Sequence, residues 1–188
     1  MKMLPKLTLA VLGIGLTSGA AYSATMVIGG GLARSCYEAA LFDRANSETL
    51  ATCDRALTEE ALTNDDKVAT HVNRGILRMH SNDLRGAIAD YDRAIAMAPT
   101  EAEAYLNKGV AVLRDDNWQE ARALFDAAIR YNTQKPELAY YGRAISSEMG
   151  GDVKSAYHDY KRASELAPEW QEPVTELTRF RVVSSPGA

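Results

Sequence analysis

The chain has 188 residues and a formal net charge of −4, room for one ordinary domain or a short repeat array. Apolar residues make up 46% and charged residues 24%, a globular balance with enough apolar surface to bury a core. No basic excess exists to neutralise phosphates or to dock on anionic lipid, which argues against a nucleic-acid partner.

Residues 1–24 have the layout of a secretory signal. Lys2 and Lys6 precede the apolar run LTLAVLGIGL (7–16), and small residues follow in TSGAAYSA (17–24). Cleavage is expected after Ala21, Ser23 or Ala24. The competing reading is a retained inner-membrane anchor, because no charged residue occurs between Lys6 and Arg34 and that length can span a bilayer. The span is rich in Gly, Ser, Thr and Ala, however, and only residues 7–16 are strongly apolar, which favours removal. In both readings the lysines stay in the cytoplasm and the rest faces outward. The expected location is the periplasm, with membrane attachment only if the N-terminal segment is retained. Residues 25–32, with Gly29, Gly30 and Gly31 in a row, read as a linker.

From residue 33 to about 181 helix formers dominate and β-branched runs are missing. Polar or Gly/Pro-bearing turns interrupt them regularly. Asp83, Asn117 and Asp152 are placed to accept first-turn N–H groups, Thr100 and Glu103 have capping-box spacing, and Pro136 suits a first helical position. Short turns between helices require antiparallel neighbours.

Residues 33–62 form the first expected hairpin. LATCDRAL (50–57) parallels IADYDRAI (88–95), with Cys53 in the place of Tyr91. A hairpin turning near Asn46 brings Cys36 and Cys53 level, and an even pair in an oxidising compartment points to one disulfide. Two buried free thiols are the alternative.

Three similar units follow, at 66–99, 100–133 and 134–168. Gly75, Gly109 and Gly142 fall in the first helix of each, and Leu84, Trp118 and Val153 open the second. Then come Ala87, Ala121 and Ala156; Tyr91, Phe125 and Tyr160; Ala94, Ala128 and Ala163; and, at the end, Pro99, Thr133 and Pro168. The period lengthens between the second and third units, which places a two-residue insertion in the turn SEMGGD (147–152). Glycine and alanine columns let helices approach closely, the aromatic fills the adjacent gap, and proline ends the unit. One hairpin cannot bury its apolar stripe, whereas stacked hairpins bury a continuous core. Residues 169–181 read as a capping helix, with Val174, Leu177 and Phe180 covering the last unit, and residues 182–188 as a disordered tail.

Over residues 66–168 this ordered set of columns resembles the tetratricopeptide repeat family. The departures lie in the first helices, where His71 and Tyr105 hold the family's large aromatic position and Arg74, Lys108 and Tyr141 replace its leucine. The resemblance implies an all-α fold, a right-handed α-solenoid of antiparallel helical hairpins. It also implies that the first helices line a concave groove receiving an extended peptide or a partner's helix. Carried over position by position, the groove residues are Val72, Asn73, Ile76, His80, Leu106, Asn107, Val110, Arg114, Tyr140 and Arg143. Asn73 and Asn107 are equivalent and could hydrogen-bond a partner's backbone, or could tie one repeat to the next. Members that grip a C-terminal carboxylate use lysines and arginines where this chain has Ala69, Val72 and Ile76, so that clamp is not expected.

Catalytic patterns fail one by one. The glycines of GIGLTSG (13–19) lie in the signal region, and GGGLARS (29–35) lacks the ending of a phosphate loop. No serine stands in a nucleophile elbow. His71, His80 and His158 lack metal-ligand spacing, and Asp65–Asp66 and Asp115–Asp116 suit helix starts. The expectation is therefore a protein-interaction scaffold of the bacterial envelope, not an enzyme, with no cofactor or metal and an unidentified protein or peptide as partner. The runners-up are a self-associating structural subunit and, behind it, an enzyme or ligand-binding domain on a helical scaffold.

Overall fold

Nine helices follow one another along the residues described by this computed structural model, 22–28 and 30–180, and no strand is assigned among them. They are α1 (Leu32–Leu41), α2 (Ser47–Glu59), α3 (Asn64–His80), α4 (Leu84–Met97), α5 (Ala102–Arg114), α6 (Trp118–Arg130), α7 (Pro136–Met149), α8 (Val153–Leu166) and α9 (Gln171–Leu177). The expected signal up to residue 21 and the expected tail lie outside the described residues.

The three repeat hairpins turn by the same chemistry. Two positions after each first helix stands a residue in the left-handed region: Asn82 at φ 60°, Asp116 at φ 58° and Gly151 at φ 79°. Asn, Asp and Gly tolerate this conformation best. The next residue reaches back, its N–H donating to Arg78, Val112 or Ser147 carbonyl oxygen at 2.8–2.9 Å. Its own side chain then caps the second helix, Asp83 accepting from Gly86 N–H, Asn117 from Glu120 N–H and Asp152 from Ser155 N–H. The two residues inserted in the third unit do not enlarge this turn, as the sequence suggested. They extend α7 to Met149, and the same turn follows. Thr100 and Glu103 do not form a capping box either: α5 starts with no side-chain cap. The buried Glu103 carboxylate instead accepts from Thr133 Oγ1 at 3.0 Å and Gln134 N–H at 2.6 Å. A local spacing loses here to a tertiary bond that ties α5 to the connection between the second and third repeats.

The columns meet inside the hairpins. Tyr91 packs over Gly75, and Phe125 lies between Gly109 and Gly142, so one ring seals two first helices. A methyl on Gly109 would stand 2.9 Å from Phe125 Cε1. Ala87, Ala94, Ala121, Ala128, Ala156 and Ala163 are completely buried, consistent with close helix approach. Between α3 and α4, Asp90 is fully buried and accepts from His71 Nδ1 at 3.0 Å, Arg74 Nε at 2.9 Å and Arg78 at 2.6 Å. Burial works to raise its pKa, but the bonds from His71 and Arg74 and the charges of Arg74 and Arg78 outweigh it and leave the carboxyl below its ordinary value.

Hairpins α3–α4, α5–α6 and α7–α8 stack through α4 on α5 and α6 on α7. First helices also touch in succession, α3 with α5 and α5 with α7, whereas the second helices do not approach one another comparably. The stack therefore bends with its first helices on the inside, an all-α solenoid of helical hairpins.

The α1–α2 hairpin packs on α3 at one end. It carries a disulfide between Cys36 and Cys53, both fully buried. Asn46 and Thr49 form a reciprocal capping box at the start of α2. The Glu60 carboxylate reaches the other end of the hairpin and accepts from Leu32 and Ala33 N–H, an anion placed at the positive end of α1. At the opposite end of the solenoid α9 is only 7 residues long. Leu177 and Phe180 pack on Ala144, Ala156 and Tyr160. Val174 does not join them; it is 41% exposed, a correction to the expected cap.

Candidate functional site

Residues 22–28, expected as the end of a signal and a linker, lie along the inner faces of α3 and α5 as an extended segment. Its side chains alternate, as backbone of period two demands. Ser23 and Val27 are buried, whereas Met26 and Ile28 are exposed.

Two asparagines hold its backbone. Asn107, on α5, accepts from Ser23 N–H at 3.2 Å and donates through Nδ2 to Ser23 carbonyl oxygen at 3.0 Å. Asn73, on α3, does the same with Thr25, at 2.9 and 2.7 Å. Both asparagines are fully buried, so their amides need partners, and one residue of extended chain satisfies each amide on both sides. A primary amide offers one acceptor and two donors side by side, which matches the N–H and C=O that a single extended residue points to one side. The contact therefore reads main chain, not side chain. The step is two residues per repeat, about 7 Å of extended chain. The segment runs from the second repeat toward the first.

Its ends are fixed by polar groups. Tyr22 hydroxyl accepts from Arg114 at 2.9 Å, and its ring stands edge-on to His80 at 4.8 Å. Burial raises the Tyr22 pKa against the opposing Arg114. Burial lowers the pKa of His80, Arg114 adds to that, and Asp43, paired with His80 Nδ1 at 2.6 Å, opposes it. At the other end Ile28 N–H donates to Asp66 at 3.1 Å, and Val27 sits among Ala33, Ala56 and Ala69.

The sequence-derived groove residues divide into three groups. Asn73, Asn107, His80 and Arg114 converge on the segment. Val72, Ile76 and Leu106 are fully buried and Val110 nearly so. They belong to the core, and Val72 and Leu106, each about 100° around the helix from its asparagine, offer no open apolar surface to a partner. Tyr140 occupies the third asparagine position, beneath the Arg143 guanidinium at 5.1 Å. Arg143 itself is a correction: it donates to Asp159 at 2.7 and 2.8 Å and to Asp126 at 2.6 Å. Its charge is spent on holding α7 to α8 and α6. The sequence reading missed the segment itself, because S-A-T-M-V-I (23–28) continues the small-residue stretch of the expected signal and precedes the glycines. It also missed Asp66, whose place in a first helical turn gave it another explanation. Among the described residues no cluster of three or more His, Cys, Asp or Glu could hold a metal, and no helix is long and apolar enough to cross a membrane.

The family model for the tetratricopeptide repeat matches residues 72–137 and 116–169. No curated protein sequence matches the chain. Among solved structures, MamA from Desulfovibrio magneticus is similar at 19% identity and a TM-score of 0.64, covering 79% of this chain and 82% of its own. The first repeat domain of Spaghetti (RPAP3), bound to the HSP90 peptide SRMEEVD, is similar at 22% and 0.57, covering 60% and 89%. The second such domain of human RPAP3, in complex with the HSP70 peptide SGPTIEEVD, is similar at 23% and 0.58, covering 62% and 97%.

Proposed function

Since the chain belongs to the tetratricopeptide repeat family, we propose that it is a protein-interaction scaffold whose inner groove receives an extended segment of a partner protein. The observation that carries this reading is the pair of buried asparagines, Asn73 and Asn107, each bonded on both sides to one residue of extended backbone. Structurally similar repeat domains hold peptides. Those peptides are acidic and end in EEVD. Here Ala69, Val72 and Ile76 are buried apolar residues, so the partner is not an acidic C-terminal tail gripped by a basic clamp. The scaffold carries no catalysis of its own and needs no cofactor.

The chain works in the bacterial periplasm after export on a signal that ends at Ala21, the first of the cleavage points open within residues 1–24. The charged start, the short apolar run and the small residues of that stretch support this, as does the Cys36–Cys53 disulfide, which persists in an oxidising compartment. The test is capture from the envelope fraction of the source cells with parent chain and with Asn73→Ala/Asn107→Ala. The parent should retain a partner that the double variant loses at unchanged helicity. A partner held equally by both would contradict the groove reading.

A further inference from the structure

We propose that residues 22–28 are an exchangeable stand-in for the partner. The partner segment is then extended and uncharged, with a small residue facing Asn107, a β-branched residue facing Asn73 and a β-branched apolar residue two positions on. This rests on the groove being the partner site, and it adds what the partner looks like and what competes with it.

The segment is attached as a ligand would be. No main-chain to main-chain hydrogen bond holds residues 22–28 among the described residues. Its polar contacts run to side chains of the solenoid: Asn107, Asn73, Asp66 and Arg114. The three inward positions define the code. Ser23 is 5% exposed and Val27 is 1% exposed, so a bulky residue at the first position or a charged one at the third meets a closed wall. Between them Thr25 fits by shape, yet its Oγ1 is buried with no hydrogen-bond partner among the described residues, a fault that a complementary ligand would not share. The outward face is also unfinished, with Met26 63% and Ile28 86% exposed. An occupant with these two defects is displaceable by a segment that lacks them.

The tether sets the energetics. A run of glycines, Gly29 to Gly31, links the segment to α1, and Gly31 takes φ 96°, where a side chain is strained. A short link holds its ligand at millimolar effective concentration. A free segment of equal quality therefore binds the parent chain only in proportion to the fraction of grooves left open. Releasing the tethered segment should raise the affinity for the same sequence supplied from outside.

The experiment uses the full chain and a capped, dye-labelled peptide of residues 22–28, YSATMVI, read by fluorescence anisotropy. Thr25→Pro with Val27→Asp releases the segment, because proline has no N–H for Asn73 and aspartate is expelled from the apolar pocket. The released chain should bind the peptide at least about tenfold more tightly than the parent. Adding Asn107→Ala should abolish the gain, and a scrambled peptide should not bind. Equal affinity for parent and released chain, a gain indifferent to Asn107, or loss of helicity in the released chain would overturn the proposal. So would a parent dimer that Thr25→Pro/Val27→Asp dissolves, since the segment would then fill a second copy. Failure here with Asn73/Asn107-dependent capture intact removes the stand-in and leaves the groove reading standing; capture indifferent to those asparagines removes the groove reading first.

Discussion

At the scale of single residues, the fold depends on side chains that are small where helices cross and paired where charge is buried. Phe125 is pressed between Gly109 and Gly142, so Gly142→Ala should destabilise the chain by about 1–3 kcal/mol through overpacking. Ala121→Leu should cost about the same, for the same reason. Chemical denaturation measures both; a neutral Gly142→Ala would mean that the ring has room to move aside. Asp90 presents the opposite case. It is fully buried beneath His71, Arg74 and Arg78, and Asp90→Ala should cost about 3–5 kcal/mol, because the arginines lose their buried counter-charge and keep only the exposed Asp54 and Asp83. Its pKa is lower folded than unfolded. The stability it supplies is therefore complete above the ordinary carboxylate pKa, about 4, and is lost as pH falls through the lower folded value. The thermal midpoint of the parent should drop in that acid range, and that of Asp90→Asn should drop less. The glycine, alanine and aromatic columns were legible in the sequence because each repeats at one period. Asp90 was not: its counterpart in the second repeat is Leu124 and in the third Asp159, so no column announced it. Glu103 was misread because spacing to Thr100 is a local signal, and the bond that wins comes from Thr133, thirty residues away.

At the scale of elements, turn chemistry fixed the hairpins and could be read directly. Asp83, Asn117 and Asp152 cap where the sequence placed them. The inserted pair in the third unit was located correctly but assigned to the wrong element, since helix-forming Ser-Glu-Met continues α7 and the glycines alone make the turn. The α1–α2 hairpin packs on the solenoid chiefly through α3, and its disulfide closes a sequence separation of 17 residues. Reduction should cost about 3 kcal/mol. Hydrogen exchange should place that loss first in α1 and α2, with α5–α8 protected longest; uniform loss across all helices would show that the hairpin and the repeats unfold as one unit. Non-reducing mass analysis should find the chain two protons light, with no thiol to alkylate. The element that escaped the sequence is the segment 22–28. Its period-two alternation is only a few residues long, and an extended chain that pairs with side chains instead of a sheet leaves no partner strand elsewhere to betray it.

At the scale of the whole molecule, the stacking of hairpins and the bend toward the first helices create a trough, and the chain's own N-terminal stretch lies in it. This joins the export reading to the groove reading. Of the expected cleavage points, the one after Ala21 leaves Tyr22, Ser23 and Thr25 on Arg114, Asn107 and Asn73; cuts after Ser23 or Ala24 would strip Asn107 of its bonds. The interest of Asn73 and Asn107 followed from their equivalent places in successive repeats, where bonding a partner's backbone and tying one repeat to the next were both open. The occupant did not, because nothing in residues 22–28 taken alone says that they return to the solenoid. The central claim is that Asn73 and Asn107 grip extended main chain. Amide hydrogen exchange at Ser23 and Thr25 tests it most directly. The account predicts slow exchange at both in the parent chain, and open-chain rates in Asn73→Ala/Asn107→Ala while α3 and α5 remain protected. Open-chain rates in the parent, or protection that survives the loss of both asparagines, would contradict it.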